Sequence, residues 1–164
     1  MRFITACILY LMFTSQVIAL ETIPGPRDCF WARGPVSSDP YINIAYPDAN
    51  VFYWAAAFST PEESTLEIMG DYPYSRYMSF FSYDENGRPV ESLTDYQIKS
   101  DSTNPFISGN QRSNSYRAYS IVVLNAKSSV TKTTDVQNGM SVSNILHTPQ
   151  YKKNQQLIVY RIYL

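Results

Sequence analysis

An all-β domain, an antiparallel β-sandwich or jelly roll with at most one or two short helical turns, is the fold class this sequence predicts. Short apolar or aromatic runs alternate with clusters of Pro, Gly, Asn, Asp and Ser along the chain. No stretch carries a convincing helical stripe. Tyrosine is unusually plentiful, at 14 residues, and it suits half-buried β surfaces.

The chain opens with Arg2 and an apolar run from Phe3 to Phe13, then Thr14-Ser15-Gln16 and Val17-Ile18-Ala19. Val17 and Ala19 suit the −3 and −1 pockets of a signal peptidase, so residues 1–19 read as a removable signal peptide. A retained membrane anchor needs roughly twenty apolar residues, and this run is shorter. Removal takes away Cys7 and leaves Cys29 alone, so no intramolecular disulfide is expected to hold the mature monomer. Residues 20–164, about 145 in all, suit one β-sandwich domain with a packed core. The expected location is the periplasm or the exterior.

Each strand has its own signal. Val51 to Phe58 is aromatic and alanine-rich, bounded by Asp48-Ala49-Asn50 and Ser59-Thr60-Pro61. Thr60 offers a cap for a short helical turn over Pro61–Leu66, and Thr65 to Met69 reads as a strand ending at Gly70. Tyr77 to Tyr83 enters Asp84-Glu85-Asn86-Gly87, where Asn-Gly is expected to supply the positive φ angles of a hairpin returning near Val90. Tyr116 to Leu124 places Tyr119, Ile121 and Val123 on one face. Leu157 to Leu164 places Ile158, Tyr160, Ile162 and Leu164 on one face, with Arg161 interrupting the other. Stopping inside a strand, the chain reads either as having a tucked C-terminus or as a shortened version of something longer, the second being favoured.

Charge excludes one partner class. The formal net charge is −1, and no run of lysines or arginines offers the footprint that nucleic acids need. Lys152-Lys153 is an isolated pair that suits a solvated loop. No asparagine stands in an N-x-Ser/Thr acceptor, which leans toward a bacterial product.

Catalytic signatures are sparse. His147 is the one histidine, and no G-x-S-x-G, H-E-x-x-H, phosphate-loop or paired C-x-x-C motif appears. A Cys29–His147 dyad is conceivable, but an inert thiol and a loop histidine explain both residues more simply. A zinc site of histidines and cysteines is excluded by count within one chain. Asp84, Glu85, Glu91, Asp95 and Asp101 cluster along one stretch; they suit a solvated hairpin, and alternatively an acid–base pair or Ca²⁺ ligands without EF-hand spacing. No cofactor is expected, since nothing positive supports Ca²⁺.

Gly70-Asp71-Tyr72-Pro73-Tyr74-Ser75-Arg76-Tyr77 is more distinctive. Gly70 and Pro73 bend the backbone, the tyrosines present rings, and Arg76 offers a planar fork for a carboxylate. The candidate ligand contacts are therefore Tyr72, Tyr74, Arg76, Asp84, Asp95 and Trp54, for a carbohydrate or a small organic acid. A structural role competes, with Arg76 paired to Asp84 or Asp95 and the tyrosines closing the end of the sandwich.

The order of motifs carries a resemblance. Cys29-Phe30-Trp31-Ala32-Arg33-Gly34-Pro35, Tyr46-Pro47-Asp48, Phe52-Tyr53-Trp54 and the segment from Gly70 to Phe80 resemble a family of exported bacterial proteins of unknown function. Tyr83-Asp84, Gly87-Arg88-Pro89, Asp95 and Asn104-Pro105-Phe106 continue the pattern, with fainter support from Tyr160-Arg161-Ile162-Tyr163. The pattern is also similar, more weakly, to the β-rich C-terminal module of larger two-part bacterial proteins. The resemblance implies a jelly-roll-like exported domain and carries over no catalytic residue. Members of that family continue past such a final strand with a polar segment.

Three functions remain open at this point. A non-catalytic binding or structural module of the cell envelope expects Trp54 and the tyrosines exposed in a groove or patch. A carboxylate enzyme acting on a carbohydrate or small molecule expects Asp84 and Asp95 in one cleft. An accessory domain that assembles through its C-terminal edge expects an unpaired last strand.

Overall fold

The computed structural model describes residues 28–38, 48–61, 64–100, 102–126, 136–137, 140–141, 144–151 and 154–164. Residues 1–19, expected above to be a signal peptide, with Cys7, together with Tyr46-Pro47, Glu62-Glu63, Asp101 and Lys152-Lys153, lie outside them. In chain order the strands are β1 (Arg33–Val36), β2 (Val51–Ser59), β3 (Leu66–Asp71), β4 (Tyr77–Tyr83), β5 (Pro89–Thr94), β6 (Ala118–Asn125), β7 (Val136–Gln137), β8 (Met140–Ser141), β9 (Ile145–Thr148) and β10 (Gln155–Tyr163). A five-stranded sheet in the order β1-β2-β10-β4-β5 packs against a three-stranded sheet, β3-β6-β9, while β7 and β8 pair with each other. This is the expected all-β sandwich. Among the described residues, no helix is long and apolar enough to cross a membrane.

Period-two alternation puts the core where the sequence places it. On β10 the core-facing set is Ile158, Tyr160 and Ile162, opposite Ala56, Trp54 and Phe52 of β2 and Ser82, Phe80 and Met78 of β4. From the second sheet come Ile68, Tyr119, Ile121, Val123 and Leu146. Phe80 stacks on Tyr160 at 4.5 Å and meets Tyr119 edge-on across the sandwich at 6.1 Å. Burying side chains of this size is worth about 1.5–3 kcal/mol each. On the opposite face of the larger sheet, the Arg161 guanidinium lies 4.2 Å from the Phe81 ring centre and donates to the Tyr83 hydroxyl at 2.8 Å.

Four details depart from expectation. β6 and β9 run parallel, Val122 beside Ile145 through Asn125 beside Thr148, so the second sheet is mixed. A parallel pair needs a long crossover, here residues 126–144. Its return is stitched by Asn144, whose amide donates to Ser120 O and Lys99 O and accepts from Lys99 N–H. A helical turn that the sequence did not announce falls at Asp95–Gln97, while Glu62 and Glu63 of the expected Pro61–Leu66 turn lie outside the described residues. Leu66 already opens β3, where pairing with β6 buries Ile68.

The hairpin after β4 takes its positive φ at Gly87 (73°) and not at Asn86. Asp84 Oδ1 accepts the N–H groups of Asn86 and Arg88, and Gly87 N–H donates to Asp84 O. The result is a three-residue loop that ends on a left-handed glycine, with the register slipping at Ser82/Tyr83. Finally, β10 is central. It pairs with β2 and β4 along its length, so the free, assembly-ready C-terminal strand is not present.

Candidate functional site

The structure scatters four of the six predicted contacts. Tyr72 turns inward, 1 % exposed, and its hydroxyl donates to Ile98 O at 2.6 Å. Trp54 sits on the core-facing side of β2, its ring 5.5 Å from Tyr160. Asp84 serves its own turn. The Arg88 N–H group, ahead of the smaller opposing effect of burial and the help of Asn86, holds its carboxyl below the ordinary value. Asp95 is buried as the first residue of the Asp95–Gln97 turn, where its carboxylate accepts N–H groups of Met78 and Tyr96. Burial outweighs those bonds and the nearby charge of Arg112, and pushes its pKa up.

The acid–base pair is a correction on geometry. Asp95 touches Met78 at the start of β4, whereas Asp84 follows that strand's last residue. Six extended residues separate the two points, about 20 Å. Glycosidase carboxyls stand about 5–9.5 Å apart. The Cys29–His147 alternative fares no better. His147 Nδ1 lies 3.0 Å from Glu91, tying β9 to β5, and the exposed Cys29 thiol rests on Trp31 O.

Tyr74 and Arg76 do come together, at the end of the sandwich where the β3–β4 loop faces the long β5–β6 connection. Pro73 turns the chain, with Ser75 N–H donating to Pro73 O, so Tyr72 points inward while Tyr74 is 71 % exposed. Arg76 N–H donates to Tyr163 O, extending the β4–β10 ladder by one residue and fixing the base of its side chain. Its Nε donates to the main-chain oxygen of Leu164 and not to Asp84 or Asp95.

The opposite wall is built by the connection from β5 to β6. Between β5 and β6, buried Asn104 donates to Asp95 O and Ile98 O and accepts Phe106 N–H, which pins the loop to the core. Phe106, Pro105 and Arg112 thereby face Tyr74 and Arg76 across a cleft of about 250 Å³. Loops this long within a compact domain are commonly functional.

Arg117 forms the floor. It is 5 % exposed, donates to Tyr72 O, Pro73 O, Arg112 O and Asn114 O, and stacks over Tyr74. Arg112 donates to Ser75 O at 2.6 Å and lies 5.1 Å from the Phe106 ring centre. Three guanidiniums therefore converge on one small space. Among the described residues none of them forms an ion pair with an Asp or Glu side chain, although Arg76 holds the main-chain oxygen of Leu164, the last residue. Such a setting attracts anions, because a guanidinium is a planar cation whose donors form a fork matched to carboxylate and phosphate oxygens.

Sequence reasoning missed Arg112, Arg117 and Phe106. Arg112 and Arg117 stand among Ser and Asn residues without forming a basic run, and only their separation of five residues on one loop hints at cooperation. Comparison with known proteins finds no matching family model, no matching curated protein and no matching solved structure, so the chemistry of the cleft rests on its own residues.

Proposed function

We propose that this chain is an exported, non-catalytic binding module of the bacterial cell envelope whose arginine cleft takes an acidic carbohydrate or small organic acid. The observation that carries the reading is the convergence of Arg76, Arg112 and Arg117 on a cleft bordered by the exposed Tyr74 ring. The charged forks orient an anionic group, and the ring offers an apolar surface to the rest of the ligand. The lining side chains supply grip and orientation, in keeping with capture. Export is supported by the leader-like order of Phe3–Phe13 and Val17-Ile18-Ala19.

Thermal stability against a panel of uronic acids, organic acids and neutral sugars tests this reading. An acid present at a hundred times its dissociation constant raises stability by about 2.7 kcal/mol. The rise is expected to fall to about half or less in Arg76→Ala and in Arg112→Ala. A shift produced equally by neutral sugars, or one that survives both substitutions undiminished, would place binding elsewhere.

A further inference from the structure

We infer that the anionic group this cleft is built for is tetrahedral, a phosphoryl or sulfuryl ester, with its organic part lying on Tyr74; the inference rests on the reading of the cleft as the binding site. An arginine carries five N–H donors in a planar fork. Arg76 spends its Nε on Leu164 O, and Arg112 spends one Nη2 hydrogen on Ser75 O. Among the described residues, the remaining donors of both side chains meet no acceptor.

The two forks approach from different walls. Arg76 stands on the β3–β4 loop and Arg112 on the β5–β6 connection, joined through Ser75. A carboxylate has two oxygens in one plane, and a single fork already matches them. A tetrahedral ester presents three terminal oxygens in three directions, so it can meet two forks at once. Charge agrees with shape. If the oxygen gripped by Arg76 offsets that cation, Arg112 and the buried Arg117 still face the cleft without an ion-paired carboxylate among the described residues. Arg117 is a positioning residue here, since its hydrogen bonds are committed to main-chain carbonyls.

The experiment is calorimetric titration of the residue 20–164 protein with sodium phosphate, sodium sulfate, sodium acetate and glucose 6-phosphate at constant ionic strength. Phosphate or sulfate is expected to bind about tenfold or more tightly than acetate, and the preferred one identifies the ester. Arg76→Gln and Arg112→Gln, both at exposed side chains, are each expected to weaken that binding about tenfold while leaving the melting midpoint of the free protein in place. Tyr74→Ala is expected to weaken glucose 6-phosphate more than inorganic phosphate. Equal affinity for acetate overturns the tetrahedral assignment and leaves the acid-binding reading standing. Binding that ignores both arginine substitutions overturns the assignment to this cleft, and no binding of any anion overturns both.

Discussion

The Arg117 guanidinium lies 3.7 Å from the centre of the Tyr74 ring while donating to Pro73 O at 2.8 Å, so one buried cation supports both the side chain and the backbone of the β3–β4 loop. Cation–π stacking contributes about 0.5–2 kcal/mol. The four carbonyls that Arg117 satisfies matter more, because orphaning buried acceptors is costly. The expected loss for Arg117→Met is about 3 kcal/mol, read from the urea midpoint. Arg117→Lys is expected to recover less than half, since a point charge cannot reproduce a fork that serves carbonyls on two loops.

Tyr72 is predicted to be a core residue in energy as well as in position. Tyr72→Phe removes the hydroxyl that donates to Ile98 O, but that oxygen keeps the Asn104 amide. The cost is therefore expected near 1 kcal/mol by chemical denaturation, with anion binding unchanged. A large loss of anion affinity at normal stability would return Tyr72 to the site.

Gly34 is expected to tolerate no side chain. Its φ is 122°, and an added Cβ would stand 2.5 Å from Tyr53 O and 2.8 Å from Trp54 Cα, both main-chain atoms of β2 that its sheet partners hold in place. Gly34→Ala is predicted to cost about 2–4 kcal/mol from backbone strain and overpacking. A lowered thermal midpoint, with altered near-ultraviolet dichroism from Trp54, is the expected record. An unchanged midpoint would mean that β1 yields freely.

Asp95 and Asp84 are predicted to bend the pH–stability curve in opposite senses. Asp95 has a folded pKa above its ordinary 3.8, because burial disfavours the charged form. Its stabilising contribution is full below pH 3.8 and is lost as pH rises from there through the raised folded value. Asp84 has a folded pKa below 3.8, chiefly from the Arg88 N–H bond. Its contribution is present above 3.8 and is lost as pH falls through the lowered value. Denaturant midpoints across pH 2–7 check this. Asp95→Asn is expected to remove a fall in stability on the alkaline side of 3.8, and Asp84→Asn a fall on the acidic side. Parallel curves for wild type and Asp95→Asn would contradict the assignment.

Local signals made most of the fold legible. β2, β3, β4, β6 and β10 each announce themselves by apolar or alternating runs between turn residues, because a strand with one buried face must repeat every second residue, and β5 by the Asn-Gly hairpin that precedes it. β1 and β9 escaped, at four residues each, too short for alternation to stand out. The parallel sense of β9 was also out of reach, since period two is the same in either direction.

The site was legible only in part. Tyr74 and Arg76 share one turn, so their proximity is a property of adjacent residues. Asp84 and Asp95 are close in number yet bracket a strand, which carries them to opposite ends of the sheet.

The sequence by itself determined the alternating faces, the aromatic core and the exposed ring beside an arginine, all set by local geometry and by the cost of leaving apolar surface in water. Only the tertiary structure decided that Tyr72 is buried, that β10 is central, and that Arg112 and Arg117 join Arg76. Strand order brings those loops to one end of the sandwich, and strand order is settled by packing across the whole chain rather than by any local run of residues.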